Sequence, residues 1–108
     1  MVRDLAEKYT VTLVHQGTDL IEHLRESRYD LLLYIIPSLS NNITSILRNL
    51  VLNQPTLSIM LLDGEPKQTT IIEAFQIGIC DYFPKPINQG LVVERIGAIL
   101  QQKSLESE

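Results

Sequence analysis

The sequence predicts an α/β fold built on a parallel sheet, and three observations carry that prediction. Short apolar runs such as LLLYII (31–36) and TLSIMLL (56–62) read as strands buried on both faces rather than strands with one wet face. Between them lie stretches of helical periodicity, with Ile43, Ile46, Leu47 and Leu50 the clearest set. Turn signals fall where one kind of element gives way to the next, at Pro37, at Asp63-Gly64 and at Lys85-Pro86. Strands alternating with helices of roughly 10–15 residues imply parallel strands joined by right-handed crossovers.

Each element can be justified in turn. Val2, Leu5, Ala6 and Tyr9 share a helical face, so a short helix opens the chain within residues 1–10. VTLVHQ (11–16) follows as a β-branched strand. Gly17 and Thr18 lead into a helix over DLIEHLRES (19–27), and LLLYII is the second strand. SNNITSILRNLVLNQ (40–54) is a helix whose first amides Ser40 or Asn41 can cap, and Gln54-Pro55 ends it. TLSIMLL is the third strand, with Met60 in the core, and Asp63-Gly64 closes it. KQTTIIEAFQIG (67–78) is a helix ending on Gly78, which suits the left-handed position just past a helix. CDYF (80–83) is a short fourth strand with Cys80 packed as a small hydrophobe. NQGLVVERIGAILQQK (88–103) is the last helix, with Val92, Ile96, Ile99 and Leu100 inward, and residues 104–108 fray. The sum is four strands and five helices in one domain spanning residues 1–108, with no internal repeat, linker or output domain.

Composition bounds the function. The chain is 44% hydrophobic and 20% charged, which reads as globular rather than disordered. Its net charge is -4 and no two Lys or Arg are adjacent, which argues against nucleic acid or an anionic membrane as partner. No apolar run approaches the ~18 residues of a membrane span, and the N-terminus does not read as a signal peptide. The single cysteine cannot close an internal disulfide, which suits the cytoplasm. His15 and His23 have no Cys or acid at metal-ligand spacing, and His23, beside Glu22, is expected to be solvated. Neither a Gly-rich phosphate loop nor a Ser-His-acid or Cys-His arrangement is present, so no catalytic residue, cofactor or metal is assigned.

From LLDG through EAFQIGICDYFPKP to the final amphipathic helix, the sequence resembles the second half of a response-regulator receiver domain. The residues that carry the likeness are Asp63, the run Ile77-Gly78-Ile79, Tyr82 and Lys85-Pro86. The likeness extends upstream over YTVTLVHQGTDLIEHLRESRYDLLLYIIP and so covers most of the chain. It implies a flavodoxin-like parallel sheet with helices on both faces. It implies a cis bond at Lys85-Pro86. It also makes Tyr82 the family's switch aromatic, the residue that turns inward on activation; here Tyr82 is expected to hold one position, packed at or near the surface.

The departures from the family pattern point to lost chemistry. The family's first strand, with its metal-binding acids, has no counterpart here. The phospho-accepting Asp should end the strand LLLYII, but that place falls on Ile35, or on Tyr34 or Leu33 in another alignment, and none is a carboxylate. Asp63 stands where the family has Thr or Ser. Phosphoryl transfer to a carboxylate needs both that nucleophile and a cation to neutralise developing charge. The expectation is therefore a non-phosphorylatable pseudo-receiver in two-component-type signalling. It would act through a protein partner or as a homodimer, over a face that includes Lys67, Gln68, Tyr82, Glu94, Arg95 and Gln102. Lys85 is expected either to pair with Asp63 or to be solvated at the rim beside it. The competing readings are a small-molecule-binding or enzymatic domain using the cleft near Ser38, Asp63 and Lys85, and an N-terminally truncated fragment of a larger response regulator. The lost first strand would leave exposed sheet edges, closed either by strand rearrangement or by a strand from another chain.

Overall fold

The computed structural model describes residues 2–12, 20–37, 41–65 and 67–106. Among these residues five helices and three strands follow one another: α1 (Val2–Lys8), α2 (Leu20–Glu26), β1 (Leu31–Ile36), α3 (Asn41–Asn53), β2 (Ser58–Asp63), α4 (Gln68–Ile77), β3 (Asp81–Pro84) and α5 (Gln89–Glu106). The strands form a parallel sheet in the order β1-β2-β3. This is the α/β architecture that the alternation of elements predicts. Of the expected strand VTLVHQ, Val11 and Thr12 lie in irregular backbone, and the remainder falls outside the described residues, as do His15, Gly17, Thr18, Ser38 and Ser40.

The strand pleat sends alternate side chains to opposite faces. On one face Ile36, Ile59 and Leu61 pack with Leu24 of α2, Leu47 and Leu50 of α3, and Ala74 of α4. On the other, Met60, Leu62 and Phe83 pack with Leu5 of α1 and with Val92 and Ile96 of α5. Two helical layers therefore enclose the sheet, and the apolar stripes of α3 and α5 are the ones read from their spacing. Of the α1 set, Leu5 is buried and Tyr9 half-buried, while Ala6 is exposed.

Local chemistry sets the ends of the helices. The Asn88 carboxamide oxygen accepts from the Leu91 amide at 3.1 Å, capping α5. Gly78 closes α4 with φ at 125°, a conformation that a side chain disfavours, and its amide donates to Ala74 O. Lys67 precedes α4 in extended backbone rather than lying inside the helix. α5 continues to Glu106, into the stretch expected to fray, and the Lys103 ammonium donates to Thr56 O from its last turns. His23 is not simply solvated: its ring stacks on Tyr29 at 5.8 Å between centroids and shares a hydrogen bond of 3.2 Å with the phenol.

β1 departs most from expectation. Its six apolar and aromatic residues read as a strand covered on both faces, yet only Ile36 is buried, whereas every residue of β2 after Ser58 is buried. The reason is position: among the described residues β2 has a strand on each side, and β1 has one neighbour in the sheet.

Candidate functional site

The carboxyl ends of the three strands come together, as register dictates. Ile36 lies opposite Asp63, and Asp63 opposite Pro84. The ladder continues one residue past the strands, with the Gly64 amide on Ile36 O and the Lys85 amide on Asp63 O, each at 3.0 Å. Beyond this edge lies an open cleft of about 320 Å³ lined by Ile35, Ile36, Leu62, Asp63, Gly64, Lys85, Pro86 and Ile87. In α/β sheets this edge is where ligands bind. Here its lining is largely aliphatic.

Asp63 is fully buried, and both of its carboxylate oxygens are engaged. Oδ1 accepts from the Glu65 amide at 3.0 Å, and Oδ2 accepts from the Tyr82 hydroxyl at 2.5 Å. A buried carboxylate is tolerated when hydrogen bonds replace its lost water, and bonds to an ionised acceptor are the short, strong kind. Register explains why Tyr82 can reach. It pairs with Leu61, which the two-residue pleat places on the same face as Asp63, one side-chain step back along the strand. The long phenol spans that step.

Of the two expectations for Lys85, pairing with Asp63 or solvation at the rim beside it, the second matches its exposed side chain. Lys85 is in neither the Arg48–Glu73 nor the Arg95–Asp81 ion pair. Lys85 is held by its backbone amide and by the cis peptide bond to Pro86, the isomer that the resemblance implies. Tyr82 is half-buried, and its phenol is hydrogen-bonded at the cleft edge. Burial first, then the hydrogen bond to Asp63 and the charge of that carboxylate, push the Tyr82 phenol well above its ordinary value. Neutral Tyr82 is thus the form that the fold favours.

A pH prediction follows, with its sign. Above about pH 10 the unfolded chain loses its phenolic protons while folded Tyr82 keeps its own, so stability present below that pH declines as pH rises. Phenolate absorbance of the folded protein is expected to show a late-ionising fraction that shrinks in Tyr82→Phe. Tyr34, raised by burial, supplies the remainder. A late fraction unchanged by the substitution would remove Tyr82 from the cleft.

Of the alternatives for the family's nucleophile position, Ile35 lines the cleft and is 65% exposed. Tyr34 points to the opposite face and packs against the α2–α3–α4 cluster, and Leu33 packs against the α1–α5 cluster. Among the described residues no three His, Cys, Asp or Glu side chains gather as metal ligands. Cys80 sits half-buried before β3, where burial raises its thiol pKa.

The proposed partner face is distributed over α4, β3 and α5. Lys67, Gln68, Glu94, Arg95 and Gln102 are all exposed. Arg95 is not free for a partner, because its Nε lies 2.5 Å from Asp81 Oδ2. Sequence reading missed Ile72 and Phe75, exposed on one face of α4, and the Tyr82–Asp63 bond. Spacing signals the first pair, at i and i+3. The bond has no local signal, since it depends on the register of two strands.

No family model matches the sequence. The chain is 30% identical, over 104 residues, to a Bacillus subtilis protein described as an uncharacterized transcriptional regulatory protein, matching 94% of this chain. It spans 45% of that relative's length. Among solved structures, a signal receiver domain from Vibrio parahaemolyticus superposes with a TM-score of 0.80 at 20% identity, covering 97% of this chain and 82% of that one. An orphan response regulator of H. pylori superposes with a TM-score of 0.74 at 23% identity, covering 91% and 81%. The resemblance read from Asp63, Gly78, Tyr82 and Lys85-Pro86 thus holds for the architecture: this chain has the fold of a CheY-like response-regulator receiver domain.

Proposed function

We propose that this chain is a non-phosphorylatable receiver-like domain that works by protein–protein contact in two-component-type signalling in the cytoplasm. The observation that carries the reading is the exposed Ile35 side chain at the carboxyl edge of the sheet, beside an Asp63 whose two oxygens are already taken. An aliphatic side chain can neither attack phosphorus nor ligate Mg²⁺, which binds oxygen. Asp63 adds negative charge where an incoming phosphoryl group would need positive.

The Tyr82–Asp63 bond supports a further step in the same reading. In the family the switch aromatic turns inward when the domain is activated. Here a carboxylate of the chain itself ties the phenol to the cleft, with no phosphate required. The face around Lys67, Gln68, Tyr82 and Glu94, with Ile72 and Phe75, would then be presented to a partner or a second copy in one fixed form.

The test is exposure of the purified chain to acetyl phosphate, or to beryllofluoride with Mg²⁺. Backbone amide NMR shifts around Asp63, Tyr82 and Lys85 are expected to stay in place, and intact mass to show no added phosphoryl group. A stable aspartyl phosphate, or beryllofluoride-dependent shifts focused on the cleft, would sink the reading.

A further inference from the structure

The outer edge of β1 is built like the interior of a sheet. Asp30 O accepts from the Ser58 amide and Ile36 O from the Gly64 amide. In a parallel ladder the backbone groups alternate sides, so residues 30, 32, 34 and 36 face β2. The N–H and C=O of Leu31, Leu33 and Ile35 therefore point to the opposite edge, and they have no backbone partner among the described residues. That edge presents three donors and three acceptors at two-residue spacing. It carries none of the devices that blunt a sheet edge: no Lys, no other charge and no Pro occurs between Leu31 and Ile36.

We propose that this edge pairs antiparallel with the same edge of a second copy of the chain, about a twofold axis at Leu33. Antiparallel strands exchange both hydrogen bonds between facing residues at every second position. With Leu33 on the axis, Leu31 faces the second copy's Ile35 and Ile35 its Leu31. All three donors then meet all three acceptors, with none left over. The flanking charge is tolerated as well, because Asp30 comes opposite Ile36 of the second copy and not opposite another acid. A twofold contact uses one patch twice and closes on itself, giving a dimer with a continuous six-stranded sheet and not a fibre. The proposal deepens the self-association within the reading above but rests on the edge alone. A phosphorylatable cleft would leave it standing, and a monomer would leave the pseudo-receiver reading standing.

Sedimentation velocity on the full chain tests it. The expected species at micromolar concentration has twice the 12.3 kDa chain mass and dissociates on dilution. Leu33→Pro removes an outward amide and no bond to β2, but it also takes the Leu33 side chain out of the α1–α5 cluster. It is therefore expected to give a less stable monomer that keeps its helical circular dichroism, and Ile35→Lys is the variant that leaves the core untouched. Ile35→Lys places a charge on a side chain that is 65% exposed, so the fold tolerates it, and the dimer should weaken tenfold or more. Amide hydrogen exchange at residues 31, 33 and 35 should slow at least tenfold between dilute and concentrated protein. A wild-type monomer throughout, a dimer that survives Ile35→Lys at full strength, or the same protection of these amides in dilute monomer would overturn the proposal. The last result would mean that the chain's own residues cover the edge.

Discussion

Asp63→Ala is expected to destabilise the chain by about 1–3 kcal/mol, the cost of leaving two polar groups without their acceptor. The substitution empties a fully buried site and strands the Tyr82 hydroxyl and the Glu65 amide. At this chain length each kcal/mol corresponds to roughly 4–8 °C in Tm. Asp63→Asn should fall between alanine and the wild type, because its carboxamide oxygen can still take the Glu65 amide. The opposing term is desolvation: a carboxylate held by neutral donors alone has given up its water without gaining a cation. Thermal melts at neutral pH decide between the two. If Asp63→Ala melted at or above the wild-type temperature, desolvation would outweigh the bonds, and the Tyr82 link would be a position without energetic consequence.

A double-mutant cycle isolates the link. Tyr82→Phe deletes the donor and Asp63→Ala the acceptor, and contacting residues of this kind couple by about 0.5–3 kcal/mol. Additive losses would show that Asp63 is held by the Glu65 amide and by packing instead. The cycle also bears on function, since the proposed fixed presentation of Tyr82 depends on this bond.

Local pattern made much of the fold legible. Helical spacing gave Leu47 and Leu50 in α3 and Val92 and Ile96 in α5 as core, and all four are buried. Gly78 and the cis Lys85-Pro86 bond also occur where turn chemistry and family likeness place them. What sequence could not supply is adjacency. LLLYII has the composition of an interior strand, and composition does not say whether a neighbour is present on both sides. The choice between a paired and a solvated Lys85 stayed open for a related reason. Lys85 is the nearest cation along the family pattern, but strand register puts Tyr82 on the Asp63 face, and the lysine side chain turns to water. Charge suggested an ion pair, and geometry selected a phenol, which can approach a carboxylate in a buried place without the desolvation cost of an ammonium.

Gly64→Ala should be the second damaging change at this edge, and its cause is steric rather than polar. A Cβ built on Gly64 would lie 2.7 Å from the backbone oxygen of Pro37 and 3.4 Å from its carbonyl carbon. The obstacle is main chain, so no side-chain rotation relieves it. Either the turn after β1 shifts, or the Gly64 amide withdraws from Ile36 O and the bond that closes the β1–β2 ladder is lost. Overpacking of this kind costs about 1–3 kcal/mol. The backbone at Gly64 does not occupy the left-handed region, so the prediction rests on close approach alone. That makes the neighbouring residue the right control. Glu65→Ala alters an exposed side chain and preserves the amide that bonds Asp63, so it should leave Tm within about 2 °C of the wild type. A Gly64→Ala protein as stable as Glu65→Ala would mean that the turn carrying Pro37 gives way freely. The cleft edge would then not be the rigid platform on which a fixed Tyr82 depends.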